Sequence, residues 1–105
     1  AHRDFLASLP LTLQTEELIL VHAGIMPGVP LGLQTAEDLM WMREPFLSWN
    51  GEASKVIVHG HTITSTPVVK RNRIGIDTGA YRSGVLTCLV LEGDERRLMQ
   101  TGGAA

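Results

Sequence analysis

The sequence predicts an α/β domain, mostly strands with one or two helices, on three observations. Two near-continuous apolar runs, Glu17 to Val21 and Lys55 to Val58, have the composition of interior strands covered on both faces. Each stops at a histidine beside small residues, as His22-Ala23-Gly24 and His59-Gly60-His61. Between them, Gln34 to Arg43 carries helical spacing, with Thr35 placed as its cap and Glu37 and Asp38 in its first turn.

The remaining elements follow in chain order. His2 to Pro10 has the pattern of the last turns of a helix stopped by a proline, so the chain is expected to begin mid-element, as the later segment of a longer domain. A second short helix is expected over Pro45 to Trp49. Arg73 to Asp77 alternates as a strand, Val85 to Leu91 is a long apolar strand, and Gly93-Asp94 turns the chain into a return strand from Arg96 to Gln100. Residues 1–101 then form one segment of a single domain, and Gly102 to Ala105, without a side chain to hold them, form a flexible tail.

Composition narrows the function. The 105 residues carry 9 Lys plus Arg against 11 Asp plus Glu, a net charge of −2, with 44% hydrophobic residues and 19% charged. This is a globular composition with no global drive toward nucleic acid or an anionic membrane, and neither is expected as a partner. The single cysteine, Cys88, excludes an internal disulfide framework and a Cys-rich zinc cluster, and its apolar strand suggests an inert, buried thiol. No apolar run approaches the roughly 20 residues of a membrane span, and the expectation is a soluble, cytoplasmic protein.

The two histidine sites carry the chemistry. Carboxyl ends of interior strands are where α/β sheets place ligands, and Ala23, Gly24 and Gly60 allow close approach there. Neutral imidazole is a common ligand for Zn, Mn and Fe, so histidines gathered at one sheet edge can bind a metal; equally, they can be strand-end residues satisfied by backbone. In an extended chain His59 and His61 would point to the same side. A cupin would place a glutamate where Ile63 to Thr66 stand, and a histidine-triad hydrolase would need a third histidine at Ile63.

The ordered series Val21-His22-Ala23-Gly24, Trp41-Met42-Arg43-Glu44-Pro45-Phe46, Val58-His59-Gly60-His61-Thr62 and Arg73-Ile74-Gly75-Ile76-Asp77-Thr78-Gly79-Ala80 resembles the C-terminal half of calcineurin-like metallophosphoesterases. The bacterial serine/threonine protein phosphatases are the nearest in pattern, and the resemblance runs from about Leu9 to Leu91. It implies the later part of a four-layer α/β sandwich, with two divalent ions, manganese first and iron or zinc next, held between strand ends. It also implies that His22 and His61 are metal ligands, that Arg43 grips the phosphoryl group as a catalytic and substrate-binding residue, and that Tyr81 borders the substrate. His59 would stand behind the ligands and orient one of them or a bound water, although bonding to backbone explains it as well. Asp77 is open between such a supporting role and turn formation with Thr78-Gly79.

The implied reaction is hydrolysis of a phosphorylated protein or a small phosphate ester, with a dinucleoside-tetraphosphate hydrolase and a non-catalytic binding module as the alternatives. The family's Asp-x-His, Gly-Asp-x-x-Asp-Arg-Gly and Gly-Asn-His motifs do not occur in this sequence. The missing N-terminal half of the same domain is therefore an implied partner, and the isolated segment is expected to be inactive. Two groups invite a simpler explanation: Lys70-Arg71-Asn72-Arg73 as a solvated turn, and Met40, Trp41, Met42, Phe46 and Trp49 as core.

Overall fold

A computed structural model describes residues 1–101, and the expected flexible tail over 102–105 lies outside the described residues. In chain order the elements are α1 (His2–Ser8), β1 (Thr12–Gln14), β2 (Leu18–Val21), a 3-10 turn (Leu31–Leu33), α2 (Ala36–Trp41), β3 (Val56–His59), β4 (Val68–Val69), β5 (Arg73–Gly75), α3 (Ala80–Ser83), β6 (Thr87–Glu92) and β7 (Glu95–Gln100). The protein is thus a small mixed α/β domain with two sheets and few helices. None of its described helices is long and apolar enough to cross a membrane.

The main sheet runs β1-β2-β3-β5-β4, and its three central strands are parallel. This is the arrangement that the near-continuous apolar runs call for, because each central strand must be covered twice. Ile19, Val21 and Ile57 face one side, where they pack with Leu39, Met42 and Phe46 from α2 and the loop after it. Leu18, Val58 and Ile74 face the other, against Leu89 of the β6-β7 hairpin. Gly93, with φ 59, stands at the first central position of that hairpin turn, where a glycine meets no steric penalty.

Several expectations are corrected. Pro45 to Trp49 forms turns, not a helix, because the Ser48 amide donates to the Glu44 side chain at 2.8 Å and leaves the helical ladder. Cys88 is exposed, since the hairpin is a separate two-stranded sheet with only one covered face and strand alternation turns Thr87 in and Cys88 out. Of the apolar group around α2, Met42 and Phe46 are core and Trp49 is half-buried, while Met40 and Trp41 face outward, because a six-residue helix presents one stripe to the sheet. The basic turn divides: Lys70 and Arg71 are exposed, and Asn72 and Arg73 are buried against the carbonyls of the 47–51 loop.

Candidate functional site

Parallel pairing brings the two histidine motifs together. Leu20 is in register with Val58, so the chain leaves β2 at His22 opposite the point where it leaves β3. The Gly60 amide donates to the His22 carbonyl at 2.8 Å and locks the two turns side by side. Gly24 continues the first turn tightly enough that a Cβ there would lie 2.4 Å from Phe46 Cδ2. A groove of about 300 Å³ runs along these strand ends, lined by Leu20, His22, Val58, Gly60 and Ile76.

His61 turns back toward His22, with ring centroids 5.1 Å apart and planes tilted by 55°. It does so through a left-handed backbone, φ 65, which a non-glycine residue adopts at a cost of about 1–3 kcal/mol and which concentrates at functional sites. That conformation overturns the expectation that His59 and His61 share a side, because the extended chain it assumed ends at His59. His61 Nε2 is buried and has no hydrogen-bond partner within the protein. Burial first, and then the Arg43 guanidinium and the His22 ring, lower its proton affinity, against an opposite pull from Asp77. The ring is therefore held toward the neutral form, which has a lone pair to offer.

This donor set fits half of a divalent-ion site. His61 Nε2 is an orphaned nitrogen, and His22, exposed beside it, supplies a second imidazole. Among the described residues no group of three or more His, Cys, Asp or Glu side chains gathers to complete one.

The other predicted residues divide around this pair. Arg43 is exposed just past the end of α2, close enough for its charge to act on His61. Tyr81 is 78% exposed on α3 and makes no ring contact with either histidine. Asp77 serves the turn, its Oδ1 accepting the Gly79 amide at 3.0 Å while its carbonyl accepts the Thr64 amide at 3.0 Å. His59 is 3% exposed and its nitrogens are both engaged, Nδ1 with the Gly60 carbonyl at 3.2 Å and Nε2 with Arg73 Nη1 at 2.9 Å. An arginine can only donate, so Nε2 accepts and the proton sits on Nδ1. Burial, opposed by the Gly60 bond and reinforced by Arg73, pushes the His59 pKa down to about 4. The imidazole is bonded to backbone and Arg73, with no nitrogen left to orient a ligand.

Two participants escaped the sequence reading. Trp41 sets its ring edge-on to His61, 5.6 Å away at 88°, and the visible signal was its place two residues before Arg43 on a helix end. By sequence Arg73 belongs to a run of cations at a solvated turn, and only the parallel register of β3 and β5 reveals that it points at His59. No family model matches the chain, and no curated protein matches it.

Proposed function

We propose that this chain is the C-terminal part of a calcineurin-like two-metal phosphoesterase, most simply a bacterial-type phosphoprotein phosphatase acting on phosphoserine or phosphothreonine. The observation that carries the reading is the buried, unpartnered Nε2 of His61, held beside His22 at the carboxyl ends of two parallel strands. His22 and His61 would hold the ion. A divalent ion so held, manganese or else iron or zinc, supplies Lewis acidity toward a phosphoryl oxygen and lowers the pKa of a bound water.

The chain's own residues have defined tasks. Arg43 presents a planar fork that binds two phosphoryl oxygens at once and neutralises charge developing on them. Its exposure leaves it free to meet substrate. Trp41 buttresses the His61 ring from the edge. The backbone bond from Gly60 to His22 fixes the spacing of the two imidazoles before any ligand arrives. The carboxylates that complete such a site, and an acid for the leaving group, come in this reading from another segment of the natural protein.

The test is hydrolysis of p-nitrophenyl phosphate by the full-length protein with and without Mn²⁺. The reading predicts metal-dependent turnover that disappears in His22→Ala and in His61→Ala. Faster turnover of a phosphopeptide than of a dinucleoside tetraphosphate supports the phosphatase, and the reverse order supports the hydrolase. The exposed apolar surface of α1 and β1 favours a non-catalytic binding module as the second reading. Absence of metal-stimulated hydrolysis, together with concentration-dependent association, would select it.

A further inference from the structure

Arg73 is a buried cation without an ion pair. It is 7% exposed, and neither of the two ion pairs among the described residues involves it. Burying a charge in this way is costly, and a well-packed apolar side chain is often at least as stable in such a position. Its contacts show what the guanidinium does there. Nη1 donates to His59 Nε2 at 2.9 Å, Nη2 donates to the Leu47 carbonyl at 3.3 Å, and the guanidinium carbon lies 5.9 Å from the centroid of the Phe46 ring. Phe46 in turn stands edge-on to His59 at 5.0 Å and fills the space left by Gly24.

Three segments therefore meet at one fork. The loop that follows Arg43 is held at Leu47 and Phe46. The end of β3, two residues before His61, is held at His59. The turn that follows His22 is held through Gly24 against Phe46. Arg73 touches none of the three candidate site residues, yet each of the segments that carry them is anchored on Arg73 or on a ring it holds.

We infer that Arg73 is a positioning residue that sets the placement of Arg43 relative to the His22-His61 pair, through the Leu47 carbonyl, the Phe46 ring and His59. The inference rests on the phosphoesterase reading of those three residues. The planar fork is required, because its donors diverge toward the loop and the strand simultaneously, whereas a lysine ammonium is a compact point charge that cannot reproduce that planar spread. What the protein gains for the buried charge is geometry at Arg43, since a displacement of about 1 Å at a catalytic group can cost about 100-fold in rate.

The experiment compares the full-length protein with Arg73→Met, Arg73→Lys, Arg43→Ala and the double variant Arg73→Met/Arg43→Ala, assayed with p-nitrophenyl phosphate and Mn²⁺. Arg73→Met is expected to lower kcat by about 10- to 100-fold, with kcat/KM falling at least as far, since Arg43 both binds the phosphoryl oxygens and neutralises the charge developing on them. Arg73→Lys is expected to restore less than a third of the loss. Arg43→Ala is expected to cost several-fold less in the Arg73→Met background than alone, because a misplaced Arg43 has less to lose; a merely structural effect would leave the two losses multiplicative.

Amide hydrogen exchange, read without substrate or metal, is expected to quicken at Leu47 and Trp49 in Arg73→Met while core amides such as Ile57 stay protected. An Arg73→Met protein that retains kcat within about twofold, or whose Arg43→Ala loss is unchanged, overturns the inference. If Arg73→Met does not fold, the Arg73→Lys background carries the Arg43→Ala comparison with the same two outcomes. A wild-type protein with no metal-dependent hydrolysis refutes the phosphoesterase reading instead, and unchanged exchange at Leu47 and Trp49 then refutes the anchoring by Arg73 on its own terms.

Discussion

Gly24→Ala is the sharpest test of how the site is packed. An ideal Cβ at this position would lie 2.4, 2.7 and 3.0 Å from Phe46 Cδ2, Cε2 and Cγ. Carbon atoms in favourable contact stand about 3.5–4.0 Å apart, so the overlap exceeds about 1 Å. Phe46 cannot yield easily, because it is fully buried with His59 edge-on on one side and the Arg73 guanidinium near its ring. Overpacking of a well-filled core costs about 1–3 kcal/mol, and the immobility of this ring places the substitution at the upper end. For a protein of this size that lowers Tm by roughly 4–8 °C per kcal/mol. The assay is urea unfolding followed by tryptophan fluorescence, with Phe46→Leu as the partner variant. Phe46→Leu alone costs less than complete truncation of the ring, which runs to about 3–5 kcal/mol. In that background the ring contacts are relieved and Gly24→Ala should cost less by at least about 1 kcal/mol, the remaining penalty coming from a backbone at φ 158 that side chains rarely adopt. The reasoning is refuted if Gly24→Ala alone stays within about 0.5 kcal/mol of wild type, or if its penalty is the same in both backgrounds.

Three further outcomes are expected. His59 stays neutral in the folded protein down to about pH 4, against 6.5 when unfolded, so the unfolded chain binds the extra proton in that window and stability falls as pH falls. Between pH 6.5 and 5 the loss is about 1.6 kcal/mol, the slope rising from about half of 1.4 kcal/mol per pH unit at pH 6.5 toward that full value; urea titrations in chelator should show it, a flattened slope in His59→Asn should confirm its source, and flat stability in wild type would contradict it. Thr35→Ala removes the side-chain cap that accepts the Asp38 amide at 3.1 Å and should cost about 1 kcal/mol, read as a lowered thermal unfolding midpoint; an unchanged midpoint would show that the cap is idle. Phe5, Leu6, Leu9 and Leu13 are all exposed around α1 and β1, so the 105-residue chain alone should associate in light scattering as concentration rises, and Leu6→Lys with Leu13→Lys should suppress this; a strictly monomeric wild-type chain would refute it.

The central strands were legible because burial on both faces demands apolar residues at every position, and Leu18–Val21 and Val56–His59 satisfy that demand. The cap on α2 was legible from Thr35 and the acidic residues behind it. The three-residue β1 and the two-residue β4 were not, since such short edge strands carry no period of their own and exist only by pairing with β2 and β5. Nor was α3, a single turn between Gly79 and Gly84. At the site, the repeated strand-then-histidine pattern predicts histidines gathered at one sheet edge, but it points to His22 and His59, and only the family resemblance singles out His61. The burial of Arg73 could not be read, because local sequence places it in a basic turn and only the register of β5 against β3 turns it inward. Trp41 was assigned to the core by its helical spacing, and the shortness of α2 put it outside, against His61.

The central claim, that His22 and His61 jointly hold a divalent ion, is tested most directly by Mn²⁺ bound to the full-length protein and read by pulsed electron paramagnetic resonance for nitrogen couplings. The account predicts imidazole nitrogen couplings in wild type that weaken in His22→Ala and in His61→Ala and vanish when both are replaced. Mn²⁺ bound with no imidazole coupling, or with couplings that survive the double replacement, would contradict it.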